Sequence, residues 1–278
     1  MSILNTPSIK LLDINKDVHD VFSKVWLLAK DNTPLDEIKL LGPSDFDNFL
    51  ATDIPTQEYI FMVWAIEGMP RAFWDQLDRC RLASFWEQSA RVIDLSHFAQ
   101  QGHYWYPDSC SNGDNKQRVY ETAMHAAETH YAQLVDMGVP VEDARGVIPM
   151  HVLTRGTMAI NLRALKGLIK NRVCFIMQGG YWFPIVDGMI RELKSHLPAK
   201  TLKSLVNLPC YKKDHCPVEG NVMHRITGDD PNPVCPIYIK RFAKDKEALD
   251  AREHQRHPDY DLRKENYFSL LRNLGIDD

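Results

Sequence analysis

The stretch Arg79–Arg91, RCRLASFWEQSAR, places three arginines (Arg79, Arg81, Arg91), two serines (Ser84, Ser89) and one glutamate (Glu87) within thirteen residues. A guanidinium presents a planar fork of N–H donors that suits phosphate and carbonyl oxygens, and neighbouring hydroxyls and a carboxylate can orient a sugar or another arginine. The mixture suits a dianion such as phosphate, with Glu87 as a built-in counter-charge. It also suits an exposed arginine face paired with nearby acids such as Asp75 and Asp78. Periodicity does not separate the two.

A second group of reactive side chains lies further along. Cys210, Cys216 and Cys235 fall in one irregular region, PCYKKDHCP followed by NPVCP, with His215 and His224 between them and Cys174 as a fourth thiol. Four such ligands would suit zinc or an iron–sulfur cluster. The intervals of five and eighteen intervening residues are not a standard finger spacing. The other reading is of buried small apolar residues in a proline-rich wrap. The aromatic run HYWY at 103–106 could stack on a flat ring or pack into a core. There is no Gly-rich phosphate loop, and order alone reveals no Ser-His-Asp arrangement.

These groups need a scaffold, and the 278 residues are 44% hydrophobic, enough for a core. Thirty-three Lys and Arg against thirty-seven Asp and Glu give a net charge of −4, which argues against nucleic-acid polymers or anionic membranes as the main partner. The N-terminus lacks a basic start with an apolar core, and no window approaches the roughly 18 apolar residues of a membrane span. A cytoplasmic location is the expectation. Six cysteines are too few for a disulfide scaffold of this length.

EYIFMVWAIEG at 58–68 reads as a buried strand ending in a turn at Gly68. PRAFWDQLDRC then predicts a helix that delivers the first arginines. Val119, Ala123, Ala127, Tyr131 and Leu134 form the clearest helical stripe, stopped by Gly138 and Pro140. A further helical region follows RGVIP, with Ile160, Leu165, Leu168 and Ile169 on its apolar side and Asn161 and Arg163 near its middle. Residues 206–242 lose periodicity, and the charged tail offers one peripheral helix. One domain over 1–205, with a Cys/Pro-rich segment and charged tail over 206–278 packed on it, is the expected organisation.

The arginine-rich run resembles the signature of the flavin-dependent thymidylate synthases, Arg-His-Arg-x-x-Ser-x-Asn-Glu-x-Ser-x-Arg-Tyr, with Arg79, Arg81, Ser84, Glu87, Ser89 and Arg91 in register. Gln76 also fits a glutamine of that family. ARGVIP at 144–149 is similar to the run before the family's long helix, and TMAINLRALKGLIKNR is similar to its Asn-x-Arg helix. The resemblance covers about residues 55–195.

The resemblance implies an α/β fold of the α+β type, a twisted sheet flanked by long helices, assembled as a homotetramer with active sites between subunits. It implies FAD as cofactor, NADPH as reductant, methylenetetrahydrofolate as one-carbon donor and a pyrimidine nucleoside monophosphate as acceptor at C5, without a cysteine nucleophile. By position, Arg79, Arg81, Asn161 and Arg163 would meet FAD. Gln76, Glu87, Ser89, Arg91, Arg145 and Arg172 would hold the nucleotide, with Arg172 the candidate catalytic residue.

The chain departs from the pattern at Cys80, Trp86 and Val92, which replace histidine, asparagine and tyrosine of the signature. Gly167 replaces a side chain that is often polar, and Asn171 precedes Arg172 where an apolar residue is common. DIPTQEY keeps Glu58 without the histidine before it, and MQGGYW keeps Gln178 but not the following glutamate. The nucleotide half is better kept than the flavin and folate half. A divergent enzyme acting on dUMP, UMP or dCMP is the first expectation. A non-catalytic nucleotide-binding relative stabilised by a metal is the alternative.

Overall fold

The computed structural model describes residues 6–30, 32–110, 113, 115–174, 179–208 and 260–276. Four strands form one antiparallel sheet: β1 (Ser8–Ile14), β2 (Phe61–Pro70), β3 (Ala83–Glu87) and β4 (Leu153–Asn161). Their spatial order is β1-β2-β4-β3, so β3 is an edge strand and β4 a central one. The described helices are α1 (Val18–Leu28), α2 (Pro43–Ala51), α3 (Arg71–Leu77), α4 (Asn115–Asp136), α5 (Val141–Ala144), α6 (Leu162–Arg172), α7 (Gly179–Leu193), α8 (Ala199–Leu205) and α9 (Tyr260–Asn273). None of them is long and apolar enough to cross a membrane.

The residues cluster into two compact units, one of 1–40 and 55–164 and another of 41–54 and 165–278. In the first, Met62, Trp64 and Ile66 of β2 and Met158 and Ile160 of β4 are buried, as period-2 alternation requires of a sheet with one covered face. The opposite face carries Trp86, 80% exposed, and the exposed Phe61. Another buried group joins Leu95, Phe98, Met124, Tyr131, Ala144 and Val152. In the second unit, Leu165, Ile169, Trp182, Ile185, Met189, Leu193 and Leu205 are buried.

The mixed α/β class expected from the sequence is observed, and three local expectations are corrected. First, β2 runs through Gly68 to Pro70: between Ile66 and Met69 the register against β4 slips by one residue, and Gly68 has φ +68°. A bulge at a glycine lets the strand bend without ending. Secondly, Ile160 and Asn161 lie on β4, not inside a helix. β4 pairs with β2 on one side and β3 on the other, and those ladders outweigh the helical spacing. Thirdly, α3 ends at Leu77, so Arg79 and Arg81 sit in the turn before β3. Gly179 and Gly180 open α7.

The stripe expected over 119–134 is α4, closed by Gly138 at φ +82°. Cys210, Cys216 and Cys235 lie outside the described residues, as does Gln178. The boundary expected between 205 and 206 adjoins the same segment.

Candidate active site

β3 carries the centre of the signature. Ala83, Phe85 and Glu87 pair with Ile160, Met158 and Gly156 of β4, whereas Ser84 and Trp86 alternate onto the open face. Glu87 and Trp86 therefore point to opposite sides of the sheet. Glu87 requires Gly156 opposite it: a Cβ there would lie 2.7 Å from the Trp86 carbonyl oxygen, 2.8 Å from Trp74 Cη2 and 3.0 Å from Glu87 Cα. The glycine is what lets β3 approach β4 at this pair.

The Glu87 side chain is 18% exposed, with Arg71 Nη1 4.0 Å from its Oε2. Burial is the main cause that raises its pKa to about 7, followed by repulsion from Asp78, with a hydrogen bond to Asp78 and the charge of Asp75 adding to it. Arg71 opposes the shift without cancelling it. A half-buried carboxyl shared with a second acid is a proton reservoir near neutrality, able to donate or accept a hydrogen bond.

Beyond β3, the Ser89 hydroxyl accepts from the Arg91 backbone N–H at 3.2 Å. The Arg91 guanidinium is ion-paired with Glu142 of α5. Arg145 donates from Nε to the Glu142 carbonyl oxygen at 3.0 Å. Glu142 therefore links two of the expected nucleotide arginines, Arg91 and Arg145, in one exposed cluster. Gln76 is half-buried on α3, two residues before Asp78.

The residues expected at the flavin are placed differently. Arg79 and Arg81 are both exposed, and neither has a hydrogen bond or ion pair among the described residues. Asn161 caps α6, its Oδ1 accepting from the Ala164 N–H at 2.9 Å. Arg163, in the first turn of α6, forms an ion pair with Glu58. Arg79, Arg81 and Arg163 present guanidiniums whose chemistry fits the diphosphate of a dinucleotide such as FAD.

Arg172, the last residue of α6, belongs to the second unit. Its guanidinium carbon stands 4.1 Å from the centroid of the Trp182 ring on α7. Burial pulls its pKa below the ordinary arginine value, with Tyr181 acting in the opposite sense.

Burial pushes the Cys80 thiol above its ordinary pKa, despite a backbone hydrogen bond from Leu82, so it stays protonated near neutrality. Cys174 is half-buried and forms no disulfide among the described residues. Among the described residues no group of three or more His, Cys, Asp or Glu could hold a metal ion.

Sequence reasoning did not single out Arg71, Glu142, Gly156 or Trp182. Glu142 partners an arginine 51 positions away and Trp182 one in the preceding helix, neither of which spacing reveals. Gly156 carried a signal, because a glycine within a strand marks close backbone approach.

Residues 55–198, over half of the chain, match the family described as Thymidylate synthase complementing protein. A flavin-dependent thymidylate synthase of Geobacter sulfurreducens is 37% identical over 118 residues, 42% of this chain and 50% of that protein. One of Thermococcus onnurineus is 31% identical over 170 residues, 60% of this chain and 68% of that protein. The chain thus spans half to two-thirds of the length of these relatives. Among solved structures, a UMP/dUMP methylase PolB from Streptomyces cacaoi bound with 5-Br dUMP superposes with a TM-score of 0.59 and 17% identity. The superposition covers 73% of this chain and 96% of the other, and it shows the shared fold. The family resemblance and the fold class expected from the sequence are borne out.

Proposed function

Because this chain belongs to the thymidylate synthase complementing protein family, that of the flavin-dependent thymidylate synthases, we propose that it transfers a one-carbon unit to C5 of a pyrimidine nucleoside monophosphate. dUMP, UMP and dCMP are the candidate acceptors. The observation that carries the reading is the run at the end of β3, where Glu87 and Ser89 lead into Arg91, and Arg91 and Arg145 meet at Glu142.

Arg91 and Arg145 neutralise the phosphate in this reading. The Arg91–Glu142 pair is solvent-exposed on both sides, so exchanging the Glu142 carboxylate for a phosphate sacrifices little. Ser89 adds a hydroxyl beside Arg91, while Glu87 and Gln76 bind the sugar and base edge. Protonated Glu87 would offer an O–H donor to an oxygen of the ligand. Arg172 polarises a pyrimidine carbonyl, and its partial desolvation strengthens that field at the ring carbon under attack.

Arg79, Arg81, Asn161 and Arg163 would hold FAD, which when bound supplies hydride and carries the one-carbon unit, so no thiol need add to C6. The protonated Cys80 accords with this chemistry. NADPH as reductant, methylenetetrahydrofolate as donor and a homotetramer belong to the same reading. A metal on Cys174, Cys210, Cys216 and Cys235 is a separate proposal, tested by elemental analysis of the purified protein.

The deciding experiment is the visible spectrum of the protein before and after FAD reconstitution, followed by NADPH oxidation and product analysis with dUMP, UMP and dCMP. Retained flavin bands and a C5-modified product are expected. Nucleotide binding without retained flavin after reconstitution would replace the enzyme with a non-catalytic binder.

A further inference from the structure

Trp86 stands where the resembled signature has asparagine, and it is 80% exposed on the open face of β3, an edge strand. Among the described residues its ring has no aromatic or cationic partner. The strand register shows what lies beside it. Trp86 pairs with Thr157 of β4, and Thr157 with Ala65 of β2; two residues along, Ser84 pairs with Ala159 and Ala159 with Val63. Cross-strand partners share a face, so these five short side chains form a low floor beside one tall indole. Two rows across three strands measure about 7 by 10 Å, enough for a fused ring.

The charges decide which ring. Ala83 pairs with Ile160, so the turn holding Arg79 and Arg81 lies at the end of the sheet where β2 begins and β4 passes into α6. Arg163, in the first turn of α6, stands at the same end. The exposed guanidiniums of Arg79 and Arg81 suit a diphosphate there. Trp86 is three residues beyond Ala83, about 10 Å further along the strand. Past it the chain leaves β3 towards Ser89 and Arg91. A ring seated at Trp86 therefore lies between the diphosphate end and the nucleotide run. Of the two rings of FAD, the isoalloxazine is the one that must reach the pyrimidine.

We propose that Trp86 is a cofactor-binding residue: its exposed indole packs against the isoalloxazine ring of FAD on the open face of β3 and β4, while Arg79 and Arg81 hold the diphosphate. This rests on the reading of Arg79 and Arg81 as flavin contacts. A large aromatic in place of asparagine gives the cofactor apolar area on a face that otherwise presents only short side chains.

The test uses the full-length protein and its Trp86→Phe, Trp86→Ala and Arg81→Ala variants, titrated with FAD, FMN and ADP by calorimetry, with the emission of the bound flavin recorded. The side chain is exposed, so both Trp86 variants should keep the wild-type urea midpoint. Trp86→Ala should weaken FAD and FMN about tenfold and leave ADP within about twofold; Trp86→Phe should weaken the flavins by less. An indole in contact with an excited flavin quenches it by electron transfer, so bound flavin should be several-fold brighter in Trp86→Phe. Arg81→Ala should weaken FAD and ADP alike.

Unchanged FAD affinity in Trp86→Ala, with FAD still lost in Arg81→Ala, would overturn the indole contact and leave the flavin site standing. Loss of ADP with FMN retained would put the adenine at Trp86 and overturn it too. A smaller sedimenting species in Trp86→Ala at unchanged FAD affinity would assign the indole to a second copy of the chain. A wild-type protein that binds neither FAD nor FMN would refute the flavin reading and the contact with it.

Discussion

Replacing Gly156 by alanine tests whether the position of Glu87 depends on the gap between β3 and β4. The new Cβ would stand 2.7 Å from the Trp86 carbonyl oxygen and 3.0 Å from Glu87 Cα, both backbone atoms of β3. Ordinary van der Waals contact begins at 3.4 Å, so the carbonyl must retreat by about 0.7 Å. The third neighbour, Trp74 Cη2 at 2.8 Å, belongs to a fully buried ring with little room to move. Overpacking of this kind costs about 1–3 kcal/mol. That corresponds to roughly a five- to 150-fold loss in the folding equilibrium.

The assay is urea unfolding of the wild type and Gly156→Ala, with Gly167→Ala as the control. Gly167 is exposed on α6, and a Cβ there meets nothing within 4 Å. The same chemical change should therefore stabilise at that position, by about 1 kcal/mol from helix propensity. Opposite signs at the two glycines are the expected result. The shift of β3 should also weaken nucleotide binding in Gly156→Ala, because Glu87 moves with its Cα. A Gly156→Ala protein as stable as the wild type would refute the steric argument.

Arg91→Ala should change stability by less than about 1 kcal/mol, since its partner Glu142 is exposed, but should weaken nucleotide binding about tenfold or more by isothermal titration. Unchanged affinity would remove Arg91 from the site. With its pKa raised from 4.5 to about 7, Glu87 keeps a proton that the unfolded chain has already released over that window. Stability should therefore fall as pH rises from about 5 to 8. Glu87→Gln should flatten that fall in urea titrations at several pH values; an unaltered profile would assign the proton elsewhere. Gly167→Asn, which restores a polar side chain where the family often has one, should tighten FAD retention through gel filtration, and weaker retention would count against α6 as part of the flavin site.

The parts legible in sequence are those fixed by local spacing. The signature from Arg79 to Arg91 could be read through its resemblance to a family pattern, and its centre lies on β3. The α4 stripe could be read because one apolar face and one stop glycine suffice to define a helix. The β4–α6 junction could not, because Asn161 ends a strand and caps a helix at the same time. Helical spacing from Ile160 to Ile169 hid a strand whose existence depends on partners about ninety residues upstream in β2 and seventy upstream in β3. The counter-charges were equally out of reach: Glu142 lies 51 positions from Arg91, and Glu58 lies 105 positions from Arg163.

Those counter-charges change how the arginines should be weighed. Arg91 and Arg163 already hold carboxylates, so an incoming phosphate gains at each only the difference between two anionic partners. Arg79 and Arg81 have no such partner among the described residues, so a phosphate oxygen placed there gains the whole interaction. A match at every signature position therefore does not mean equal contribution. On this argument the affinity lost in Arg79→Ala and Arg81→Ala exceeds that lost in Arg163→Ala when all three are compared for FAD retention. Removing Glu58, which frees Arg163 from its carboxylate, should raise retention instead of lowering it. A loss of FAD in Glu58→Gln would mean that the pair positions Arg163 more than it competes for it.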